Sequence, residues 1–261
     1  MSNTEGLNPT GRFTGLAHCY ARYRPSYPPQ AIDCLLCECG LAACSTVVDI
    51  GCGTGISSRL LAERGLRVIG IDPNADMLTT AKQTQLGDVS GSIDYRQGKA
   101  EETGLDSGIA RAVTAFQAFH WFSNEATLEE FHRILEPRGW LALIWNDRDD
   151  RDPLTSAYHK ILSNSAEGRA ITNSWRTSTD ILRKTPWFQP PSTFTFPSEQ
   201  ILNEEGLIGR AMSASYAPRE PVALEKMKQE LRDLFASSQV DRNVRMHYQV
   251  HLFLAKRSDH G

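Results

Sequence analysis

The stretch from Val47 to Gly55 constrains this chain more than any other. An apolar, β-branched run ends there in three glycines at alternate positions, Gly51, Gly53 and Gly55, and the next residues have helical spacing. Because glycine lacks a Cβ atom, the backbone can turn tightly and a ligand can lie directly against it. The first turn of the following helix adds unpaired N–H donors and a partial positive charge. The stretch therefore predicts a strand, a ligand-binding turn and a helix.

The glycine spacing disfavours two common nucleotide sites. A dinucleotide fingerprint, G-x-G-x-x-G, would place its third glycine where this chain has Ile56. A phosphate-binding loop would need a lysine directly after its last glycine, and none follows Gly55. The turn by itself leaves other nucleoside ligands open.

Composition and charge limit the class of protein. With 261 residues, the chain can form one large domain, or one domain with a lid. Hydrophobic residues make up 40% and charged residues 23%, as in ordinary globular proteins. The net charge of −3 disfavours a nucleic-acid partner. The apolar runs are too short to span a membrane and no signal peptide is evident, so we expect a cytoplasmic protein without a membrane partner.

Five of the six cysteines precede the glycine turn. The spacing Cys34-x-x-Cys37-x-Cys39 could hold zinc, but no second Cys/His pair follows to complete a site. Ile32 and Leu35 share the helical spacing of this segment, and a buried free cysteine behaves as a small hydrophobic residue. We therefore expect no metal site, and no disulfides in a reducing compartment.

Strand and helix patterns alternate along the first 146 residues. Such alternation with short links predicts a parallel, doubly wound sheet with helices on both faces. Ligands on such sheets bind outside the carboxyl ends of the strands. The predicted strands are 47–50, 67–72, 93–97, 110–116 and 140–145. Four helices are predicted. Two of them span 30–39 and 74–85, a third begins at residue 56, and a fourth is capped by Ser123 and ends at the break at 137–139.

The second half of the chain follows a different pattern. Residues 147–190 are predicted to be an insertion that forms a lid or pocket wall, with a helix over 153–166; a peripheral helical layer is the alternative. A short strand at 194–196, helices at 199–213 and 222–236, and a closing strand at 244–255 follow. One domain results, with an N-terminal cap (1–40), a core (41–146), the insertion (147–190) and the rest of the sheet (191–261).

Two features support a nucleoside ligand at the glycine turn. Asp72 ends the second strand about 20 residues after the first glycine, where a carboxylate can accept both ribose hydroxyls. A helix-capping role is the alternative for Asp72. The leader 11–29 is irregular, aromatic and basic, which favours a segment that folds back over the pocket, although it could instead pack on the sheet edge.

Three further motifs, with the glycine turn, resemble a known family. They are Tyr20-Ala-Arg-Tyr-Arg-Pro-Ser-Tyr-Pro28, Gln117-Ala-Phe-His-Trp-Phe122 and Leu135-Glu-Pro-Arg-Gly139. Nearly the whole chain resembles the class I S-adenosylmethionine (SAM)-dependent methyltransferases of the type 11 kind, and within them the small-molecule group related to trans-aconitate methyltransferases. Arg111 replaces an acid commonly found at the start of the fourth strand, and residues 150–190 contain no motif of the group.

The resemblance implies a Rossmann-like, seven-stranded, mostly parallel sheet whose last pair is antiparallel, with SAM as cofactor and S-adenosylhomocysteine (SAH) as product. It also implies roles for the residues around the turn. The methionine portion of SAM would contact Gly51, Gly53 and Gly55. The ribose would be held by Asp72, with Asn74 or Met77 nearby. The adenine would lie beside Ala100 and Glu101, and the sulfonium would lie above Gln117, Ala118 and His120. Asp49 orients the turn or receives the ammonium group through water, and Tyr20 and Arg24 close over the cofactor, with Arg24 a candidate for its carboxylate.

The implied reaction is methyl transfer to a small molecule, at a carboxylate or hydroxyl oxygen. An ionised carboxylate needs no base, whereas a hydroxyl would need one, and His120 is the first candidate; the alternative is that His120 only shapes the pocket. A carboxylate acceptor would also favour an arginine clamp, from Arg12, Arg24, Arg148 or Arg176. A protein or nucleic-acid acceptor, or SAM binding without turnover, stays open, and an NAD-dependent oxidoreductase is disfavoured by Ile56.

Overall fold

A computed structural model describes residues 15–84, 90–163 and 178–259. In these residues seven strands form one sheet in the order β3-β2-β1-β4-β5-β7-β6. The strands are β1 (Thr46–Ile50), β2 (Arg67–Asp72), β3 (Ser92–Gln97), β4 (Ala110–Phe116), β5 (Leu135–Arg148), β6 (Ser192–Leu202) and β7 (Val244–Lys256). The helices are α1 (Ala17–Tyr23), α2 (Pro29–Cys39), α3 (Ile56–Ala62), α4 (Ala75–Gln83), α5 (Glu125–Ile134), α6 (Pro153–Leu162), α7 (Glu204–Met212) and α8 (Pro221–Ser238). None of the helices in these ranges is long and apolar enough to cross a membrane.

The first five strands are parallel, as the alternation of strand and helix patterns predicts. Val48 of β1 pairs with Ile69 of β2 on one side and with Val113 of β4 on the other. The strand order therefore reverses between β1 and β4. At such a reversal the loops after the two strands leave toward opposite faces and open a crevice at the carboxyl ends. The glycine turn follows β1 and therefore lies in this crevice.

The last two strands are antiparallel, as predicted, but the first of them is longer than predicted. β7 is antiparallel to both β5 and β6. The strand predicted at 194–196 spans Ser192–Leu202, and the helix predicted from 199 begins at Glu204. Residues 199–202 pair with β7 as far as Leu202 opposite Val244. Pairing with a neighbouring strand, which single-sequence patterns do not reveal, outweighs the helical propensity of these residues.

Three local boundaries also differ from the prediction. The leader is not wholly irregular, because Ala17–Tyr23 forms α1. Asn124 rather than Ser123 caps α5, its side chain accepting the N–H of Thr127 at 2.9 Å. The predicted break at 137–139 lies inside β5 as an irregularity: Leu135 pairs with Ala110, and the next pair joins Trp140 to Ala112.

Hydrophobic clusters cover both faces of the sheet. Val48 and the apolar face of α5 belong to one cluster, whereas Val47 and residues of α2 and α3 belong to the other. A third cluster joins α6, α7 and α8 to the amino-terminal half of β7. The described part of the predicted insertion therefore includes α6, a packed layer beyond the carboxyl end of β5.

The cysteine segment forms α2, as predicted. Cys39 is buried in the core, and burial raises the pKa of its thiol to about 12. Cys34 is half-buried and Cys37 is exposed. Within the described ranges no three His, Cys, Asp or Glu side chains come together as a metal site.

Candidate cofactor and acceptor site

A cavity of about 290 Å³ lies at the carboxyl ends of β1, β2 and β4. Segments far apart in the sequence supply its walls, because the crevice of the sheet brings the loops after these strands together. The predicted residues that line it are Tyr20, Gly51, Gly53, Asp72, Asn74, Met77, Ala100, Glu101, Gln117 and Ala118. Lys99, Trp121 and Phe122 also line it; Trp121 and Phe122 belong to the 117–122 motif, but no site role was predicted for any of the three.

The three glycines of the turn have different surroundings and therefore different structural roles. At Gly53, with φ of +55°, a Cβ atom would meet nothing within 4 Å, so its bare face is open to a ligand. At Gly51 a Cβ atom would collide with Ala118 of the loop after β4. At Gly55, which precedes α3, it would overlap the Tyr95 hydroxyl. Gly55 therefore packs behind the turn and, unlike Gly51 and Gly53, is not part of the cavity wall.

Asp72 holds the turn in place while lining the cavity. Its Oδ2 accepts the N–H of Gly53 at 2.9 Å, and its Oδ1 accepts the N–H of Asn74 at 2.8 Å. Burial raises the pKa of Asp72 above its usual range, and the two N–H donors oppose that shift. Each carboxylate oxygen has a second lone pair, so Asp72 can still accept hydroxyl donors from a ligand. Asn74, not Asp72, caps α4, since its side chain accepts the N–H of Met77 at 3.2 Å.

Asp49 lies beneath the turn and is fully buried. Its oxygens accept the hydroxyls of Ser57 and Ser58 at 2.7 Å and of Thr114 at 3.0 Å. These bonds tie β1 to the start of α3 and to β4. Desolvation raises the pKa of Asp49 to about 6, although the three hydroxyls favour the ionised form. Of the two predicted roles, the contacts match that of orienting the turn.

The segment after β4 takes a strained path. Gln117 has a positive φ of 57°, which is uncommon for a residue with a side chain. Its N–H donates to Ile144 O at 2.8 Å, and its side chain donates to Asn146 O at 3.1 Å. These two bonds to β5 hold the conformation. Strained backbone held in this way is typical of functional sites.

His120 lies beside this segment but is not part of the wall of the large cavity. Its Nδ1 lies 3.4 Å from Trp145 Nε1, which can only donate, so Nδ1 is the acceptor. Burial and the charge of Arg24 lower the pKa of His120 to about 4. The imidazole is therefore neutral at pH 7 and a weak proton acceptor.

The leader folds back over the turn, as predicted. Tyr20 lines the large cavity, and the Arg24 guanidinium lies 4.6 Å from the centre of the Tyr20 ring. A second cavity of about 40 Å³ adjoins the first and is lined by Arg24, Gly53 and Ser57 at the start of α3. The buried guanidinium of Arg24 makes this cavity suited to a carboxylate.

A further arginine, Arg210 of α7, lies close to Arg24 and was missed because a lone arginine in an amphipathic helix gives no signal. Arg148, a predicted clamp residue, ends β5 and lies near Arg210. Arg210 is 6% exposed and lines the small cavity. The other two predicted clamp residues, Arg12 and Arg176, lie outside the described residues.

Comparison with known proteins agrees with this geometry. Residues 48–143 match the family model Methyltransf_11, a methyltransferase domain. An uncharacterised methyltransferase of Mycobacterium tuberculosis is 42% identical over 132 residues, 51% of this chain and 51% of that protein. A ubiquinone biosynthesis O-methyltransferase of Pseudomonas paraeruginosa is 30% identical over 159 residues, 58% of this chain and 67% of that protein. The chain thus matches about half the length of the first of these relatives.

The solved structures agree in fold. A candidate type II methyltransferase of Anaeromyxobacter dehalogenans superposes with a TM-score of 0.65 at 22% identity, covering 90% of this chain and 98% of the other. The chain belongs to the class I SAM-dependent methyltransferases, and SAM is the cofactor of this family. The finer likeness to the trans-aconitate methyltransferase-related group stays a prediction.

Proposed function

We propose that this protein transfers a methyl group from SAM to an oxygen atom of a small molecule. The observation that supports this most directly is the cavity at the glycine turn, where the open face of Gly53 meets the partly unused carboxylate of Asp72. The relative named for O-methylation in ubiquinone biosynthesis supports an oxygen acceptor. The net charge of −3 disfavours nucleic acid as the acceptor.

The lining residues suit the parts of SAM in order. We assign the ribose hydroxyls to Asp72, the adenine to Ala100 and Glu101, and the methionine portion to Gly51 and Gly53. The leader would close the site, with Arg24 on the methionine carboxylate and Tyr20 above the cavity. Gln117 and Ala118 would form the floor beneath the sulfonium, with His120 behind them.

SAM supplies a methyl group bonded to a positively charged sulfur. In the transfer, an acceptor oxygen forms the new C–O bond while the C–S bond breaks and its electron pair stays on sulfur, which leaves SAH. Alignment of acceptor and methyl group is the main contribution of the chain, since aligned reactants can gain about 7–11 kcal/mol. A carboxylate acceptor is already ionised. The low pKa of His120 therefore favours a carboxylate over a hydroxyl, which would need a stronger base.

The cofactor assignment is tested at Asp72. We expect Asp72→Ala to weaken SAH binding by about 10- to 100-fold, because hydrogen bonds to a charged acceptor contribute about 1.5–3 kcal/mol. Asp76→Ala, in the exposed first turn of α4, is the matched control and should bind SAH like the wild type. Isothermal titration calorimetry measures both, and equal affinities for Asp72→Ala and wild type would reject the ribose assignment.

The class of ligand and acceptor needs separate measurements. Melting temperatures with SAM, SAH and NAD compare the cofactors, since ligand at 100 times its dissociation constant adds about 2.7 kcal/mol of stability. Stabilisation by NAD but not by SAM or SAH would overturn the proposal. Methyl-labelled SAM incubated with metabolite extract and with protein should label a small molecule. Label in the protein fraction alone would favour a protein methyltransferase, and no label despite SAM binding would favour a SAM-binding protein without turnover.

A further inference from the structure

Four buried polar atoms at the small cavity have no hydrogen-bond partner among the described residues. They are the Nε atoms of Arg24 and Arg210, the hydroxyl oxygen of Thr54 and the Oδ1 atom of Asn146. All four residues line this cavity, and Thr54 is only 1% exposed. Buried polar atoms are normally hydrogen-bonded, because leaving one unpaired costs free energy. The small cavity therefore suits a ligand that carries both donors and acceptors.

The four atoms are of two kinds. Arg24 and Arg210 present charged donors and Thr54 presents a hydroxyl, a set that suits a carboxylate. The Oδ1 atom of Asn146 can only accept, so it suits a positively charged donor such as an ammonium group. A cavity of about 40 Å³ has room for about three water-sized groups. Two carboxylate oxygens and one ammonium group make up this number, and together they are the head group of an α-amino acid.

The side chain of Asn146 connects this cavity to the leader. Its Nδ2 donates to Ser26 O at 3.1 Å. Because a carbonyl oxygen only accepts, the amide atom that faces Ser26 is the nitrogen, and the unpaired atom is the oxygen. The backbone of Asn146 is held in turn, since its carbonyl accepts the side-chain N–H of Gln117 at 3.1 Å and its residue pairs with Val250 of β7. One amide group thus holds the leader and presents a free acceptor to the cavity.

The carboxylates near the turn are less suitable partners for an ammonium group. Asp49 already accepts three hydroxyls and lines neither cavity. Asp72 lines the large cavity, where we assigned it to the ribose. None of the described residues that line the small cavity is acidic. The amide oxygen of Asn146 is therefore the side-chain acceptor best suited to an ammonium group there.

On the basis of the cofactor orientation proposed above, we propose that Asn146 accepts the ammonium group of SAM through Oδ1 and thereby couples cofactor binding to docking of the leader. The ammonium and carboxylate groups of SAM are bonded to the same carbon atom, so a carboxylate at Arg24 brings the ammonium group into the same cavity. A charged donor on Oδ1 polarises the amide and strengthens the bond from Nδ2 to Ser26 O, since hydrogen bonds in a chain reinforce one another. Asn146 is thus a positioning residue for both the cofactor and the leader.

The leader depends on such contacts because its helix is short. Helix α1 has seven residues, and an isolated helix of fewer than about 12 residues is marginal in water. Besides Asn146, Gln200 holds the leader by donating from Nε2 to Tyr23 O at 3.0 Å. At the end of α1 the N–H of Arg24 donates to Tyr20 O at 3.1 Å. Hydrogen exchange of the Arg24 N–H therefore reports whether the leader is docked.

Calorimetry with two ligands tests the ammonium contact. The full-length protein is titrated with SAH and with an SAH analogue in which hydrogen replaces the amino group. We expect the wild type to bind SAH at least about tenfold more tightly than the deaminated analogue, because hydrogen bonds to charged groups are the strong ones. Asn146→Leu should reduce this preference to about threefold or less, and Asn146→Ala gives the same test if the leucine variant does not fold.

The preference is a ratio within one protein, so a general loss of affinity or stability cancels. Asn243→Leu is the matched control, because Asn243 is exposed in the turn before β7, where its side chain contacts only Asp241 O among the printed bonds of the described residues. We expect this variant to keep the wild-type preference for SAH.

Hydrogen exchange tests the coupling to the leader. At equal saturation of the wild type, SAH should slow exchange of the Arg24 N–H at least about threefold more than the deaminated analogue does. Asn146→Asp keeps an acceptor oxygen but lacks the Nδ2 donor. It should therefore still prefer SAH in the calorimeter yet lose the extra protection of the leader. An asparagine with a merely structural role would not separate these two measurements.

The outcomes distinguish this inference from the proposed function. Equal affinity of the wild type for the two ligands, or an unchanged preference in Asn146→Leu, would overturn the ammonium contact, while SAH binding would still support the proposed cofactor site. Equal protection of the leader by both ligands would overturn the coupling. A wild-type protein that does not bind SAH would overturn both proposals.

Discussion

Asp49 shows how one residue couples the glycine turn to the stability of the fold. The sequence placed this carboxylate before the turn, but its three hydroxyl donors come from α3 and β4. Ser57 and Ser58 are close in sequence, whereas Thr114 is brought into contact only by the pairing of β1 with β4. The same burial that removes Asp49 from solvent makes its ionisation unfavourable.

The pKa of Asp49 predicts a pH dependence of stability. Its pKa is raised by burial from 3.8 to about 6, so the folded protein retains a proton that the unfolded chain loses. The stability that this proton confers is complete below pH 3.8 and is lost as the pH rises through about 6. The loss corresponds to about 3 kcal/mol. We expect the free energy of unfolding of the wild type, relative to Asp49→Asn, to fall by about this amount between pH 4 and pH 7.

Urea denaturation across this pH range measures the difference. Taking the difference between the two proteins cancels the titration of every other group that behaves alike in both. A difference that does not change with pH would show that Asp49 stays ionised throughout, held by its hydroxyl donors.

At the scale of elements, the leader reaches the site by packing on α7. Tyr23 of α1 lies so close to Gly209 of α7 that a Cβ atom there would overlap its ring. The Tyr23 hydroxyl also donates to Glu205 at 2.7 Å, one turn earlier on α7. This contact fixes α1, and with it Tyr20 and Arg24, over the glycine turn. Neither helix α1 nor its packing against α7 could be predicted from the local sequence pattern.

We predict that Gly209→Ala weakens SAH binding severalfold. Alanine favours the helix by about 1 kcal/mol, so any loss must come from displacement of α1. Calorimetry of Gly209→Ala, Tyr23→Ala and the double variant measures the coupling between the two positions. Removing the Tyr23 ring makes room for the new methyl group, so Gly209→Ala should have little further effect in the Tyr23→Ala background. An equal loss in both backgrounds would contradict the packing explanation.

At the scale of the whole molecule, the core consists of three hydrophobic clusters, and the glycine turn rests on two of them. The clusters on the two faces of the sheet support the turn, whereas α6, α7 and α8 form a third cluster, in which the Tyr158 ring centre lies 5.8 Å from the Arg148 guanidinium. Leu231 of α8 is fully buried in that third cluster. The extended strand β7 contributes to the second and third clusters and so connects them.

This arrangement predicts cooperative unfolding. We expect Leu231→Ala to lower the free energy of unfolding by about 2–5 kcal/mol, the usual range for a buried leucine. Because β7 spans both regions, far-ultraviolet circular dichroism and tryptophan fluorescence should report one coincident transition. Val222→Ala, at an exposed position near the start of α8, is the control. Two separate transitions in Leu231→Ala would show that the third cluster unfolds on its own.

The sequence by itself determined the parallel half of the fold and the binding turn. There the information is local: apolar runs define β1, β2 and β4, the glycines define the turn, and Asp72 follows at a fixed distance. Tertiary structure decided the rest. The length of β6 depends on pairing with β7, and the positions of Gly55 and His120 behind the cavity wall depend on packing. Arg24 and Arg210 are 186 positions apart in the sequence, and their burial at one small cavity becomes visible only once the chain brings them together.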